Sequence, residues 1–314
     1  MDRRHFLTLT AGGLLTAGAS QARALSSGRL VEYPAFASKH VDARRVTVWL
    51  PEGYDASAEP FGVLYMHDGQ NLFETTHAPF GEWGVDEVLS GMMARGEAPR
   101  TLVVGVWNTP KRYVEYGPAA LVDAVPEPTR SVLKAQARAP LESDAYLAFL
   151  VEELKPFIDR TYRTRPSREH TSLMGSSMGG LISLYGGLTY PEIFGAVGCV
   201  STHWPLGSGE GPGVSRDQWR TDVLSGLTTY LERALPKPSG TRFYFDYGDQ
   251  NLDSNYAPYQ ARVDAIFAAR GYRRGRDVES LAFPGADHNE PSWNRRLSIP
   301  LKFLLNAPAV SAAP

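Results

Sequence analysis

The sequence predicts an α/β fold organised around one open, mostly parallel sheet, and three observations carry that expectation. Strand-like and helix-like segments alternate along the chain. The strand-like runs are close to continuous in apolar residues rather than alternating, the pattern of parallel strands covered by helices on both faces. No linker rich in Pro, Gly or Ser divides the 314 residues into comparable halves, so one catalytic-sized domain is expected where length alone would allow two.

Taken in order, the chain opens with MDRRHFLTLTAGGLLTAGASQARA, which stands apart from the fold. Arg3 and Arg4 precede a mildly apolar run from Phe6 to Ala19 and a small-x-small site at Ala22-Arg23-Ala24. Residues 1–24 therefore resemble a cleavable twin-arginine (Tat) export signal, with the Tat translocase as partner during export and a periplasmic or secreted destination. The run is too short and too rich in Gly, Ala and Thr for a stable membrane span. Strands are then expected at 44–50, 61–67, 101–107, 170–175, 194–201, 241–248 and 277–283. Helices are expected at 84–95, 143–158, 178–188, 216–235, 257–269 and 291–305, the last opening on Pro291, whose missing N–H costs nothing in a first turn. The sheet domain should span 25–306. Residues 108–142 read as an inserted loop without clear periodicity, and a loop of that length in a compact domain is usually functional or mobile. The tail 307–314, APAVSAAP after Asn306, reads as unstructured.

Composition narrows the function. With 43% hydrophobic and 21% charged residues the chain is globular, and a formal net charge of −2 leaves no electrostatic footprint for nucleic acid or an anionic membrane surface. Loss of Arg3, Arg4, Arg23 and Asp2 with the signal leaves 29 basic and 33 acidic residues, a net −4. The single cysteine, Cys199, excludes a disulfide framework and any multi-cysteine metal site. It lies in an apolar strand and reads as a small buried hydrophobe. The Arg273–Arg276 run reads as a solvated loop.

The strongest chemical signal is Gly175-Ser176-Ser177-Met178-Gly179, a G-x-S-x-G string between a strand and a helix. That context places Ser177 on a sharp turn with its hydroxyl above the sheet, and the flanking glycines suit a turn with no room for Cβ atoms. A serine hydroxyl needs a base within hydrogen-bond reach and a carboxylate to orient that base. Of the two histidines after Ser177, His203 comes too early, directly after the next strand; His288 follows the last strand and is the expected base. The acid lies in GDQNLD, where Asp249 and Asp253 both remain candidates. Two N–H donors must meet the developing oxyanion: the amide of Met178 and one from the loop after strand 61–67, with Gln70 or Gly69 expected. His67-Asp68 has no third ligand nearby to make a metal site, and no cofactor is expected.

The strings MHDGQNLF (66–73), EWGVDEVL (82–89), RYVEYGP (112–118), MGSSMGG (174–180), STHWP (201–205), YFDYGDQNLDSNYAPYQ (244–260) and GADHNEPSW (285–293) together resemble an esterase family of the α/β-hydrolases. That family includes enterochelin-esterase-like, feruloyl and acetyl-xylan esterases and formylglutathione hydrolases, and the likeness runs over residues 29–306. The resemblance implies an α/β-hydrolase fold, with Ser177, Asp253 and His288 in the triad roles. The acid loop departs from the G-T-x-T-L-D string of related members, and the departure is what adds Asp249. The implied chemistry is two-step acyl transfer from an ester to water through a seryl intermediate. Arg112, Tyr113 and Tyr116 are expected at the edge of the pocket, and Trp204 and Trp293 flank it in sequence as platforms for an acyl or sugar group. The implied substrate is a small-molecule or carbohydrate ester. Acyl transfer to a sugar acceptor, as in mycolyltransferase relatives, and ligand binding without catalysis are the alternatives.

Overall fold

The computed structural model describes residues 25–73 and 81–306, so the export-type segment 1–24 and the tail 307–314 lie outside the described residues. Eight strands form the sheet: β1 (Arg29–Phe36), β2 (Arg44–Leu50), β3 (Gly62–His67), β4 (Thr101–Val106), β5 (Thr171–Ser176), β6 (Ala196–Val200), β7 (Arg242–Tyr247) and β8 (Val278–Ala282). Their order across the sheet is β1-β2-β4-β3-β5-β6-β7-β8. β1 and β2 pair antiparallel, as do β2 and β4, and every later pairing is parallel. The parallel strands β3, β4, β5 and β6 are buried throughout, which is why they read as nearly continuous apolar runs. β1 has no such signature. It sits at the sheet edge, half exposed, and carries Glu32 and Pro34, residues an edge strand tolerates.

The helices are α1 (Val85–Ala94), α2 (Arg112–Tyr116), α3 (Ala119–Ala124), α4 (Thr129–Ala137), α5 (Ser143–Ala148), α6 (Lys155–Thr161), α7 (Met178–Thr189), α8 (Arg216–Ala234), α9 (Ala257–Ala269), α10 (Glu290–Asn294) and α11 (Ser298–Leu305). α5 runs into α6 through a π-helical stretch, Phe149–Leu154. The widened turns come directly before Pro156, which cannot donate an i→i−4 bond. Residues 108–142, expected as a loop, hold the three short helices α2, α3 and α4. Each has nine residues or fewer, too few for a helical period to stand out. The single helix expected over 291–305 is two. The restart at Ser298 puts Pro300 in the first turn of α11, where its absent N–H leaves nothing unpaired.

One face of the sheet packs on a core that includes Tyr146, Leu181, Ile182, Trp204, Trp219 and Phe267. The other packs on Leu89, Met92, Trp293, Leu301 and Leu304. Cys199 is fully buried in β6. Among the described residues no helix is long and apolar enough to cross a membrane.

Candidate active site

The turn from β5 into α7 carries Ser177 at φ 57°, ψ −121°, a conformation that L-residues adopt only when their surroundings impose it. The surroundings are visible. The Ser177 N–H donates to the Val200 carbonyl at 2.9 Å, and the Ser177 carbonyl accepts from the His203 N–H at 3.1 Å, so the end of β6 grips the turn from both sides. Glycine is sterically required at two places. A Cβ on Gly175 would lie 2.8 to 2.9 Å from the Gly179 backbone, and one on Gly180 would lie 2.7 Å from Thr202 Oγ1. The reading that both glycines of G-x-S-x-G lack room needs correction. At Gly179 the nearest atom is His67 Cβ at 3.4 Å, an ordinary contact.

His288 follows β8, and its Nδ1 donates to Asp253 Oδ1 at 2.6 Å. Asp253 sits in a 3-10 turn, Asn251–Asn255, directly after β7, and is 1% exposed. Its Oδ2 accepts from the Gly248 N–H at 2.6 Å and from Ser201 Oγ at 2.7 Å. Burial alone would raise this carboxyl's pKa, but the bonds from His288 and Ser201 outweigh it and hold it below the usual carboxylate range. The His288 ring meets Tyr256 and Trp293 edge-on, at centroid distances of 5.8 and 5.2 Å. Asp249 does something else. It is exposed, and its Oδ1 accepts from the Gly285 N–H at 2.8 Å and from Gln250 at 2.6 Å, tying two loops together. His203 is committed too: Nδ1 accepts from the Tyr256 hydroxyl at 2.9 Å and Nε2 donates to the Gly207 carbonyl at 3.1 Å. Burial lowers its pKa to about 4, so the ring is neutral.

The loop after β3 begins at His67. This imidazole is buried, which lowers its pKa to about 3, and its Nδ1 meets the Tyr146 hydroxyl at 2.8 Å. Asp68, at φ 57°, is gripped by a two-pronged Arg112 at 2.8 and 2.8 Å and by Asn108 Nδ2 at 2.6 Å. Burial opposes ionisation of Asp68, and the Arg112 charge overcomes it and lowers the pKa. A Cβ on Gly69 would lie 2.6 Å from Trp107 and 2.7 Å from Gly105, so this residue packs against β4. Gln70 reaches the cleft, and its Oε1 accepts from the Asn108 N–H at 3.4 Å. Met178 is the first residue of α7. Among the described residues no group of three or more His, Cys, Asp or Glu is placed to hold a metal.

An open cleft of about 460 Å³ joins these parts; Asp68, Gln70, Arg112, Ser177, His288 and Trp293 all line it. Of the expected substrate contacts, Arg112 and Trp293 line this cleft, and Tyr113, Tyr116 and Trp204 do not. Tyr116 is fully buried between His67 and Tyr146, and Trp204 is fully buried with its indole N–H on Gln260 at 3.0 Å. Tyr113 donates its hydroxyl to the Leu206 carbonyl at 2.8 Å and packs on the core. Aromatic residues near a site in sequence are more often core than platform, because their area is worth most when buried. The cleft instead gains Asn71, Asn108, Leu252, Asn289 and Glu290. Asn289 and Glu290 directly follow His288 in the HNEP string, a signal the sequence did contain. Glu290 accepts from Asn71 at 2.8 Å, and burial with the nearby Asp68 charge raises its pKa.

Comparison with known proteins agrees with the fold. A family model described as "Putative esterase" matches residues 39–303. The chain is 30% identical over 201 residues to "Iron(III) enterobactin esterase" of Escherichia coli (strain K12), covering 61% of this chain and 42% of that protein. It is 24% identical over 255 residues to "Endo-1,4-beta-xylanase/feruloyl esterase" of Xylanibacter ruminicola, covering 80% and 28%. It is 25% identical over 162 residues to "Uncharacterized protein YbbA" of Bacillus subtilis (strain 168), covering 51% and 58%. The chain thus spans less than two thirds of the length of each of these relatives. Among solved structures, the enterobactin esterase of Shigella flexneri with 2,3-di-hydroxy-N-benzoyl-glycine superposes with a TM-score of 0.60 at 18% identity, over 90% of this chain and 60% of that one. A CE1 ferulic acid esterase from Anaeromyces mucronatus, in complex with ferulic acid, gives 0.58 at 20% identity, over 88% and 91%. These structures share the α/β-hydrolase fold with this chain.

Proposed function

The chain belongs to the family described as "Putative esterase", an esterase family of the α/β-hydrolase type, and from that premise we propose that it is a serine carboxylic-ester hydrolase working through an acyl-enzyme. The observation that carries this reading is the 2.6 Å bond from His288 Nδ1 to the enclosed Asp253, His288 lining the same cleft as the strained Ser177. With Nδ1–H committed to Asp253, the other ring nitrogen, Nε2, is the base that takes the Ser177 proton. The serine oxygen attacks the ester carbonyl. The tetrahedral oxyanion meets the amides of Met178 and Gln70, and Asp68, held by Arg112 and Asn108, fixes the loop that presents Gln70. His288 then returns its proton to the leaving alcohol, and water repeats the sequence on the acyl-enzyme. Arg112 and Trp293 bound the substrate on opposite chemical terms, one charged and one aromatic.

Turnover of p-nitrophenyl acetate and longer-chain esters by the wild type and by Ser177→Ala tests the reading. The wild type is expected to show Ser177-dependent hydrolysis; equal rates for the two proteins would sink it. Acyl transfer to a sugar is the second reading, and the amide and carboxyl groups of Asn71, Asn108, Asn289 and Glu290 along the cleft favour it, since they suit a polyhydroxylated acceptor. Product analysis with a sugar acceptor present separates transfer from hydrolysis. We also read residues 1–24 as directing Tat export of the folded protein, with the ester met outside the cytoplasm. Replacing Arg3 and Arg4 together with lysine is expected to leave the precursor inside the cell, measurable by fractionation.

A further inference from the structure

We propose that Ser201, held by Trp293 and Arg296, is a positioning residue that fixes the orientation and basicity of the Asp253 carboxylate. This rests on the reading of Asp253 as the acid of the serine hydrolase. Ser201 follows β6, is fully buried, and stands at φ 41°, in the left-handed region that a serine rarely occupies. Its hydroxyl oxygen accepts from Trp293 Nε1 at 3.0 Å and from Arg296 Nη2 at 2.9 Å. A serine hydroxyl has two acceptor positions and one proton. With both acceptor positions taken, its proton has one destination, Asp253 Oδ2 at 2.7 Å.

The consequence reaches the catalytic base. Oδ2 is occupied by Ser201 and the Gly248 N–H, so Oδ1 is reserved for His288 at 2.6 Å. The charge on Arg296 does not act bare. Asp246 takes its guanidinium at 3.0 and 3.2 Å, and Asp246 also accepts from the Ser201 N–H at 3.2 Å and the Tyr244 hydroxyl at 2.9 Å. The buried Arg296–Asp246 pair is thus a neutral bracket that aims one N–H at Ser201. Other groups around the Asp253–His288 pair are Tyr256 and the neutral His203 beside it, Asp287, whose carboxylate accepts the His288 backbone N–H at 2.6 Å, and Glu290 in the cleft. The Ser201 hydroxyl bonds to Asp253, Trp293 and Arg296 and to none of these groups, so substitution at Ser201 isolates the bracket.

The test is Ser201→Ala, with Ser177→Ala beside it. Loss of one donor concentrates negative charge on Oδ1, which favours protonated His288 and loosens the carboxylate. The expected result is a fall in kcat of about tenfold, with KM within about twofold, and an acidic limb of the kcat/KM profile moved to higher pH. A purely structural role would lower activity without moving that limb, and that outcome overturns the inference, as does a wild-type profile. If Ser201→Ala does not fold, Trp293→Phe removes one donor to Ser201 and keeps an aromatic ring against Trp83; a smaller shift in the same direction supports the bracket, and an unmoved limb overturns it. Turnover that survives in Ser177→Ala overturns the hydrolase reading itself. Ser177-dependent turnover with an unmoved limb overturns only the role of Ser201.

Discussion

Two aspartates four residues apart have different surroundings and different hydrogen-bond partners. Asp253 is enclosed and spends one oxygen on His288, whereas Asp249 is exposed and staples its own loop to Gly285. Asp253→Asn is expected to lower kcat/KM by roughly 10³-fold or more, because an amide favours the wrong imidazole tautomer. Asp249→Asn should stay within about threefold, since an exposed loop bond contributes little. Parallel initial-rate measurements decide this, and a larger loss at Asp249 would reverse the assignment. Composition and spacing alone could not separate the two residues, because both lie on the loop after β7 and the choice depends on which way a short 3-10 turn faces. The same limit explains Tyr113, Tyr116 and Trp204. A sequence shows that an aromatic side chain is near the site along the chain, and only packing shows that Tyr116 and Trp204 are spent on the core.

At the scale of elements, the β5–turn–α7 unit was the most legible, since its steric demands act between neighbours in the chain. Gly175→Ala is expected to abolish activity and to destabilise the fold, because the new methyl would press on the Gly179 backbone at 2.8 Å, and backbone there cannot yield without moving α7. Gly179→Ala is expected to fold and to retain activity within about tenfold, its methyl meeting His67 at ordinary contact distance. Thermal melts and esterase rates of the two variants check the contrast, and equal damage from both would refute it. The helices α2 to α4 were illegible for the opposite reason: short elements are stabilised by partners remote in sequence. α2 is pinned to β2 by a buried pair, Arg44 to Glu115 at 2.7 Å, with side chains 1% and 0% exposed. Glu115→Ala leaves that guanidinium buried without its carboxylate and should cost about 3–5 kcal/mol in denaturant unfolding. Arg44→Met combined with Glu115→Leu should recover most of the loss, because it removes both charges and refills the volume. A double variant as unstable as the single one would show that the pair does not act as a unit.

The whole molecule carries its charge in a way that makes it acid-sensitive. The central strands that revealed the sheet are largely apolar, and several ionisable groups enclosed around the site are held away from their ordinary titration ranges. His67 is buried and His203 largely enclosed, and desolvation keeps both neutral, with pKa values near 3 and 4 against an ordinary 6.5. Below pH 6.5 the unfolded chain therefore binds protons at these positions that the folded protein refuses, so stability falls as pH falls, by up to about 1.4 kcal/mol per pH unit for each imidazole. That slope persists down to about pH 4, where His203 accepts its proton, and to about pH 3 for His67. Asp68 and Asp253, with lowered pKa values, stabilise the fold above the ordinary carboxylate range of about 3.9, and that contribution drains away at still lower pH. Glu290 acts with the opposite sign: its raised pKa means the folded protein takes up a proton first, which offsets part of the loss as pH falls toward its range. The net expectation is a melting temperature that is flat above pH 7 and declines by several degrees per pH unit between pH 6 and pH 4.5. Calorimetry of the wild type and of His203→Gln across that range measures it, with a shallower decline expected in the variant. A wild-type melting temperature that stayed level from pH 7 to pH 4.5 would mean that the two imidazoles are not held neutral by burial.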